Sequence, residues 1–153
     1  MKSHLLILAA ASAALASGAD ARPRTATKYR PFYIFGGYSD KQIEPGVWKV
    51  SGRSNGIAEI GFGRNMAAYR AAEILSAQGF TYVQVLDQKG HIQSVGLDRN
   101  SLRPAGENLT MIVRGANSPG TPADCRAKKP EACGSYPIAE AMARLRPTLH
   151  IGE

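Results

Sequence analysis

The sequence predicts a single small α+β domain: a mainly antiparallel sheet of four to five strands, one central amphipathic helix packed on it, and a short C-terminal helix. The main observation is the stretch at 65–87, which reads as a helix, a tight turn and a strand. Further apolar runs of strand length lie between turn residues, and a short helical pattern begins after Pro137. We expect this domain to occupy residues 32–150.

The central helix is predicted from the spacing of its apolar residues. At about 100° per residue, one arc of less than half a turn collects Ala67, Ala68, Ala71, Ala72, Ile74 and Leu75. A face made mostly of alanine would let the helix approach the sheet closely. Met66 and Tyr69 fall outside this arc, as do Arg70 and Glu73. We therefore expect these side chains away from the sheet, and we expect Glu73→Ala to cost little stability.

The elements before the helix are predicted from turn signals. An apolar run at 32–35 reads as an edge strand, and residues 38–46 read as a loop that closes with a Pro-Gly turn. Residues 47–53 have the composition of a strand and contain the only tryptophan of the chain. Asn55 and Gly56 then form a strong turn signal.

The segments after the helix alternate between strands and loops. Gly79 is placed to end the helix in the left-handed conformation, and the β-branched and aromatic residues at 80–86 indicate a central strand. Residues 88–90 then read as a turn, 91–95 as a short strand and 99–107 as a loop.

The C-terminal part of the chain is predicted to hold one strand, a long loop and a helix. The strand lies at 109–114, and the stretch at 116–135 is rich in Pro, Gly and Ser, as is typical of a loop. The short helix that follows carries Ile138, Ala141, Met142 and Leu145 on one face. We expect Pro147 to end it.

Residues 1–21 read as a secretory signal peptide. A positively charged start precedes an apolar run at 5–15, which is too short to be a stable membrane anchor, and small residues follow it. We favour cleavage after Ala19 or Ala21, although a cut a few residues earlier fits the same pattern, and an uncleaved helix is the alternative. Residues 22–31 would then form a flexible basic lead-in.

The chain carries a formal net charge of +7. An exported basic protein would be attracted to anionic lipid headgroups or to anionic wall polymers. The alternative is that the charge serves only solubility, because no run of like charges is long enough to mark an interaction tail. No nucleic acid is expected as a partner, since the sequence lacks aromatic-plus-basic RNA-binding motifs and export removes the usual partners.

Cys125 and Cys133 are the only cysteines, and an even number of cysteines in an exported chain predicts a disulfide. They lie within the predicted long loop, which lacks hydrophobic periodicity and would gain from a covalent crosslink. A metal site with two thiolates is the rival interpretation, but structural zinc requires four ligands. A redox-active pair usually has the C-x-x-C form, which is absent here.

Four sequence blocks occur in order at 36–40 (GGYSD), 47–56 (V-x-x-V-x-x-R-x-N-G), 69–73 (YRAAE) and 79–87 (G-F-x-Y-x-x-V-x-D). Together they resemble a family of small bacterial cell-envelope lipoproteins that has no assigned activity. The resemblance implies an envelope location and supplies no catalytic residues. Ala19 stands where the lipid-acceptor cysteine of such a protein would be, so we expect no lipid at that position.

Polar residues within these blocks form a candidate binding patch: Tyr38, Ser39, Asp40, Arg53 and Asn55. They would line one end of the sheet if the blocks come together in the fold. The alternative is that they form hydrogen bonds within loops and turns, which asparagine and serine do routinely.

No catalytic residue, cofactor or metal site is predicted. Gly61 and Gly63 before a helix resemble a dinucleotide fingerprint, but Met66 occupies the place of the third glycine. A metal site or a Ser-His-Asp relay needs convergent side chains. His91 lies beside a predicted turn and His150 in the C-terminal tail, so we interpret both as solvated histidines.

The leading hypothesis is therefore an exported, non-enzymatic domain of a bacterial cell envelope or periplasm, which acts by binding or as a structural accessory. The alternative is a small secreted enzyme, of the hydrolase kind, whose site residues converge only in the fold. A pocket that holds His91 with a carboxylate and a hydroxyl would favour this alternative.

We predict that the exported protein is cleaved between Ala16 and Arg22 and carries no lipid, because the small residues there fit a signal peptidase and no thiol is available. The intact mass of material recovered from the periplasm measures both properties. Retention of the apolar run at 5–15, or an added acyl mass, would contradict the prediction.

Overall fold

The computed structural model describes residues 26–152 with gaps at 97, 99, 100 and 102. Within them one sheet of five antiparallel strands is packed against one long helix, and a short helix lies at the C-terminus, so the predicted α+β class is confirmed. The predicted signal peptide at 1–21 and the first residues of the lead-in lie outside the described residues.

The strands are arranged in the order β1-β2-β4-β3-β5. In sequence the elements are β1 (Gly36–Glu44), β2 (Val47–Asn55), α1 (Phe62–Ala77), β3 (Tyr82–Val95), β4 (Arg103–Ala116), a 3-10 turn (Pro130–Ala132), β5 (Gly134–Pro137) and α2 (Ile138–Thr148). The helix and central strand predicted at 65–87 correspond to α1 and the first part of β3. Gly79 has a φ of 85°, as predicted for the residue after the helix.

Close packing of α1 on the sheet forms the main core. Ala67, Ala71 and Leu75 are fully buried against Val50 of β2 and Val113 of β4. At the first turn of the helix the backbones approach so closely that a side chain on β2 has no room. A Cβ on Gly52 would lie only 2.1 Å from the carbonyl oxygen of Gly63.

Met66 and Tyr69 fall outside the arc predicted to face the sheet, but the sequence analysis did not predict that they are buried. Both are buried, with 0% and 4% exposure, in a second apolar cluster on the outer flank of α1. This cluster exists because α2 packs there through Ala141 and Leu145. The predicted arc assumed that α1 packs only against the sheet. The helix is also covered on a second side by α2, which lies about 70 residues later in the chain.

The first strand lies later in the chain than predicted. Residues 32–35, predicted as an edge strand, form a tight turn in which Tyr33 and Gly36 exchange backbone hydrogen bonds of 2.9 and 3.0 Å. The segment predicted as a loop at 38–46 is mostly β1. The sequence analysis did not recognise this strand because most of its residues are polar. An edge strand with one open face needs few apolar side chains. The predicted Pro-Gly turn at 45–46 is confirmed.

Strands β3 and β4 form one long hairpin of 14 residues each. The predicted turn at 88–90 and most of the predicted loop at 99–107 are therefore wrong. Lys89 and Gly90 continue the ladder opposite Thr110 and Leu109. These positions are polar or small because the hairpin extends beyond the part of the sheet that the helix covers, and the ladder of backbone hydrogen bonds does not depend on burial.

The predicted loop at 116–135 contains a 3-10 turn and the start of β5, and its two cysteines form the predicted disulfide with a Cα–Cα distance of 5.9 Å. The loop is also held by polar contacts. Arg126 donates a backbone hydrogen bond of 2.7 Å to the carbonyl of Leu86 and pairs with Glu44 at 2.6 Å. The hydrogen bond from Arg126 lowers the pKa of Glu44.

The C-terminal helix extends one residue further than predicted. The buried residues Ile138, Ala141 and Leu145 lie on the face that the sequence indicated. Pro147 lies inside the last turn and α2 ends at Thr148. A proline so near the end removes one backbone donor and affects no following turn, so the helix continues to its natural end.

We predict that Leu75→Ala lowers the free energy of unfolding by about 2–5 kcal/mol, because Leu75 is fully buried between α1 and the sheet. Ser76→Ala, at the adjacent exposed position of the same helix, is the control and should change it by less than about 0.5 kcal/mol. Denaturant unfolding of both variants measures the difference. Equal losses would contradict the described helix face.

Candidate binding surfaces

The five residues of the predicted patch do not lie on one surface. Strand alternation and register place Tyr38 and Asp40 on the side of the sheet that faces α1. Ser39 and Arg53 project from the opposite face, which we call the open face because both helices pack on the other side. Asn55 ends β2, and its side-chain oxygen accepts hydrogen bonds of 3.2 Å from two following backbone amides.

Tyr38 and Asp40 belong to a half-buried cluster around Arg70 of α1, which we call the Arg70 cluster: Tyr29, Tyr38, Asp40, Arg70 and Glu73. Arg70 donates hydrogen bonds to Asp40 at 2.8 Å and to Glu73 at 3.1 Å, and its guanidinium lies 4.7 Å from the ring centre of Tyr38. The Tyr29 hydroxyl donates to the same carboxylate of Glu73. The cluster thus connects the N-terminal segment, the edge strand and the central helix.

The pKa values of this cluster favour a fixed arrangement of charge. Burial raises the pKa of Tyr29, and the hydrogen bond to Glu73 raises it further. Burial alone would lower the pKa of Arg70, but the hydrogen bonds to Asp40 and Glu73 outweigh that effect and raise it. At physiological pH the phenol stays neutral and the guanidinium stays charged. The cluster is therefore suited to holding segments together.

The open face carries a shallow groove of about 400 Å³. It is lined by Lys49, Asp87, Lys89, Gly90, His91, Asn108, Thr110 and Ile112. These residues come from three neighbouring strands, β2, β4 and β3. On β2 and β4 they alternate with core residues, whereas on β3 the positions from 88 to 92 are all exposed. The sequence analysis did not find this site, because its residues are spread over more than 60 positions and only Asp87 is a named residue of one of the four sequence blocks.

Positive charge exceeds negative charge on the open face. Lys41 lies directly opposite Lys49, and Lys89 lies across β4 from them. Asp87 is the acidic residue of the groove, and it pairs with Lys89 at 3.6 Å. Ammonium groups beside amide and hydroxyl groups are suited to an anionic or polyhydroxylated ligand.

The two histidines lie in separate elements. His91 is on β3 and lines the groove, whereas His150 follows α2 with a φ of 52°. In the part of the chain that the structure describes, no three His, Cys, Asp or Glu side chains are placed to hold a metal ion. Gly61 is the residue before α1, and Gly63 packs against the carbonyl of Glu107, so both serve the entry of the helix.

A third surface consists of exposed apolar side chains at the end of the sheet where β1 begins, β2 and β3 end, and β4 begins. We call it the apolar end. Its members are Phe32, Tyr33, Ile34, Phe35, Ile57, Ile60, Ile92 and Val95. Among the described residues, only Ile43 is a further large apolar side chain with comparable exposure, and it lies at the opposite end of β1. Sequence reasoning missed this surface because it interpreted residues 32–35 as a strand.

Within the described residues, no helix has the length and apolar character needed to span a membrane. Comparisons with protein-family models, with curated proteins and with solved structures found no match to this chain. The similarity to envelope lipoproteins therefore stays a prediction from the four sequence blocks. In the structure, Tyr38 and Asp40 of the first block contact Arg70 of the third.

We predict that Glu73→Ala lowers the free energy of unfolding by about 1–3 kcal/mol, because it removes the acceptor of both Tyr29 and Arg70 in a half-buried site. The sequence analysis expected this substitution to cost little stability, because it treated Glu73 as exposed. Glu140→Ala, at an exposed position in α2, is the control and should cost less than about 1 kcal/mol. If thermal or urea unfolding gives the same loss for both, the Arg70 cluster does not stabilise the fold.

Proposed function

We propose that this chain is an exported, non-catalytic binding domain of a bacterial cell envelope, and that it binds an anionic partner on the open face of its sheet. The observation that carries the proposal is the groove on that face, where Lys49, Lys89 and Asn108 project from three adjacent strands. The sheet fixes the backbone positions from which these side chains project, so the two ammonium groups and the amide stay on one face near an anionic partner.

Two further features support an envelope location. The disulfide between Cys125 and Cys133 favours an oxidising compartment, since such bonds are rare in the cytosol. The start of the sequence has the charge, the apolar run and the small residues of an export signal. The net charge of +7 would concentrate the protein near anionic envelope polymers.

One observation favours the second candidate function, a small secreted hydrolase. The groove brings His91 together with the carboxylate of Asp87 and the hydroxyl of Thr110. Two of these three groups are engaged elsewhere. Thr110 forms a hydrogen bond of 2.9 Å with Ser51, and Asp87 pairs with Lys89. A relay would need the nucleophile and the base to be joined to each other, so we rank binding above catalysis.

We predict that short poly(glycerol phosphate) fragments shift the amide NMR signals of β2, β3 and β4, and that Lys49→Glu weakens this binding about tenfold, since reversing one charge beside the ligand costs about 1–2 kcal/mol. Lys128→Glu, an exposed lysine in the disulfide loop, makes the same change in net charge and should have a smaller effect. Equal weakening by both variants would show attraction by net charge alone. Binding with no shift on these strands would reject the groove.

His91→Ala separates the two candidate functions. If the protein binds and does not catalyse, wild type and variant will hydrolyse a panel of small ester and phosphodiester substrates at the same background rate. A rate above background in the wild type that His91→Ala abolishes would replace the binding proposal with the hydrolase.

A further inference from the structure

We propose that the apolar end docks this domain onto an anionic lipid bilayer, with the turn at 32–35 as its leading part. The inference rests on the proposed envelope location and concerns a different surface from the groove. It extends the proposed function by naming the partner of the apolar end and the orientation in which the domain would meet it.

The first argument is the concentration of exposed apolar side chains. Ile34 is 78% exposed, Ile60 75% and Val95 62%. Two depressions adjoin at Ser54 and Asn55, and their walls include Ile34, Phe35, Ile60 and Ile92. The apolar side chains thus surround one small area at the end of the sheet. A clustered surface of this kind marks an interaction site, whereas single exposed apolar residues do not.

The second argument is that the leading turn is held in place before it meets a partner. Backbone hydrogen bonds join Phe32 to Tyr38 at 2.7 Å and Tyr33 to Gly36 at 3.0 Å, and the Thr27 hydroxyl donates to the carbonyl of Phe35. Gly36 has a φ of 108°, and a Cβ there would lie 2.3 Å from the backbone carbonyl oxygen of Arg53 on β2. The turn therefore presents its apolar side chains outward on a backbone that has little conformational entropy left to lose on docking.

The third argument is the charge beside the turn. The guanidinium of Arg30 lies 5.0 Å from the ring centre of Tyr33, and that of Arg53 lies 5.8 Å from the ring centre of Phe32. The acidic residue that lines the depressions at an exposed position is Glu59. Aromatic rings with adjacent cations suit the headgroup level of a bilayer, where the rings enter the interface and the cations reach phosphate.

The same charges argue against a second copy of the chain as the occupant. A symmetric contact between two apolar ends would use the same surface patch of both copies. It would bring four arginines, Arg30 and Arg53 of each copy, into one interface, and this accumulation of like charge opposes association. An anionic lipid surface meets both the apolar side chains and the arginines with complementary chemistry.

Vesicle flotation of the mature protein, with its disulfide intact, tests the proposal. Large unilamellar vesicles of phosphatidylglycerol and phosphatidylethanolamine are compared with vesicles of phosphatidylcholine. We expect binding to the anionic vesicles that weakens at high salt, because surface electrostatic attraction is screened. Ile34→Ser should lower the partition coefficient roughly tenfold, since one exposed isoleucine no longer enters the interface.

Ile43→Ser is the matched control, because Ile43 is an exposed isoleucine of β1 at the end remote from the turn. It should leave vesicle binding unchanged. Equal losses for the two variants, or no binding by the wild type to anionic vesicles, would overturn the proposal. So would a concentration-dependent dimer, detected by sedimentation, that Ile34→Ser converts to monomer without any vesicle binding.

The groove proposal is judged separately from these results. Lys49→Glu should keep the sensitivity of vesicle binding to Ile34→Ser, and Ile34→Ser should keep the NMR shifts on β2, β3 and β4. Either surface can therefore fail while the other is retained.

Discussion

Close backbone contact between α1 and the sheet is the constraint on which the rest of the structure depends. Gly52 and Gly63 let the first turn of the helix approach β2 nearer than any side chain would permit. The alanine face of α1 continues this approach along the helix, and Leu75 is fully buried in the same core. On its outer flank α1 is covered by α2 and by Tyr29 from the segment before β1.

The Arg70 cluster joins the edge strand β1 to the helix α1 by polar contacts. The edge strand β1 has only a few buried residues, so apolar packing alone gives it little hold on the domain. Asp40 and Tyr38 on that strand meet Arg70 and, through Glu73, the phenol of Tyr29. The GGYSD and YRAAE blocks thus have a structural explanation. Their polar residues join the edge strand to the helix, and part of the predicted binding patch is a framework element.

Predictions from the sequence succeeded where burial of one face imposes a regular spacing of apolar residues. The alanine spacing of α1, the glycine that ends it and the face of α2 were all predicted correctly, and so was the disulfide. The predictions failed where burial is absent or comes from distant residues. The polar half of the β3–β4 hairpin is held by backbone hydrogen bonds, which impose no side-chain pattern. The burial of Met66 was not predicted because several of its partners lie on a helix late in the chain.

The candidate surfaces were not predicted from the sequence, because they too are formed by residues that are distant in the chain. The groove draws on strands that are adjacent only after pairing, so Lys49 and His91 give no common signal in the sequence. The apolar end includes residues 32–35, whose composition alone is indistinguishable from that of a strand. What distinguishes it is the turn made by Gly36, a property of the backbone that a composition count does not contain.

The enclosure of α1 on two sides has a consequence for how the molecule opens. Its side chains pack against the sheet on one flank and against α2 on the other. Because its amides exchange only when the helix opens, we expect exchange from the middle of α1 to disturb both contacts. The segments that flank it include Tyr29 near one end of the described chain and Leu149 near the other. Loss of either terminal segment would therefore uncover part of the outer flank of α1, and we expect proteolytic removal of either one to speed the opening of this helix.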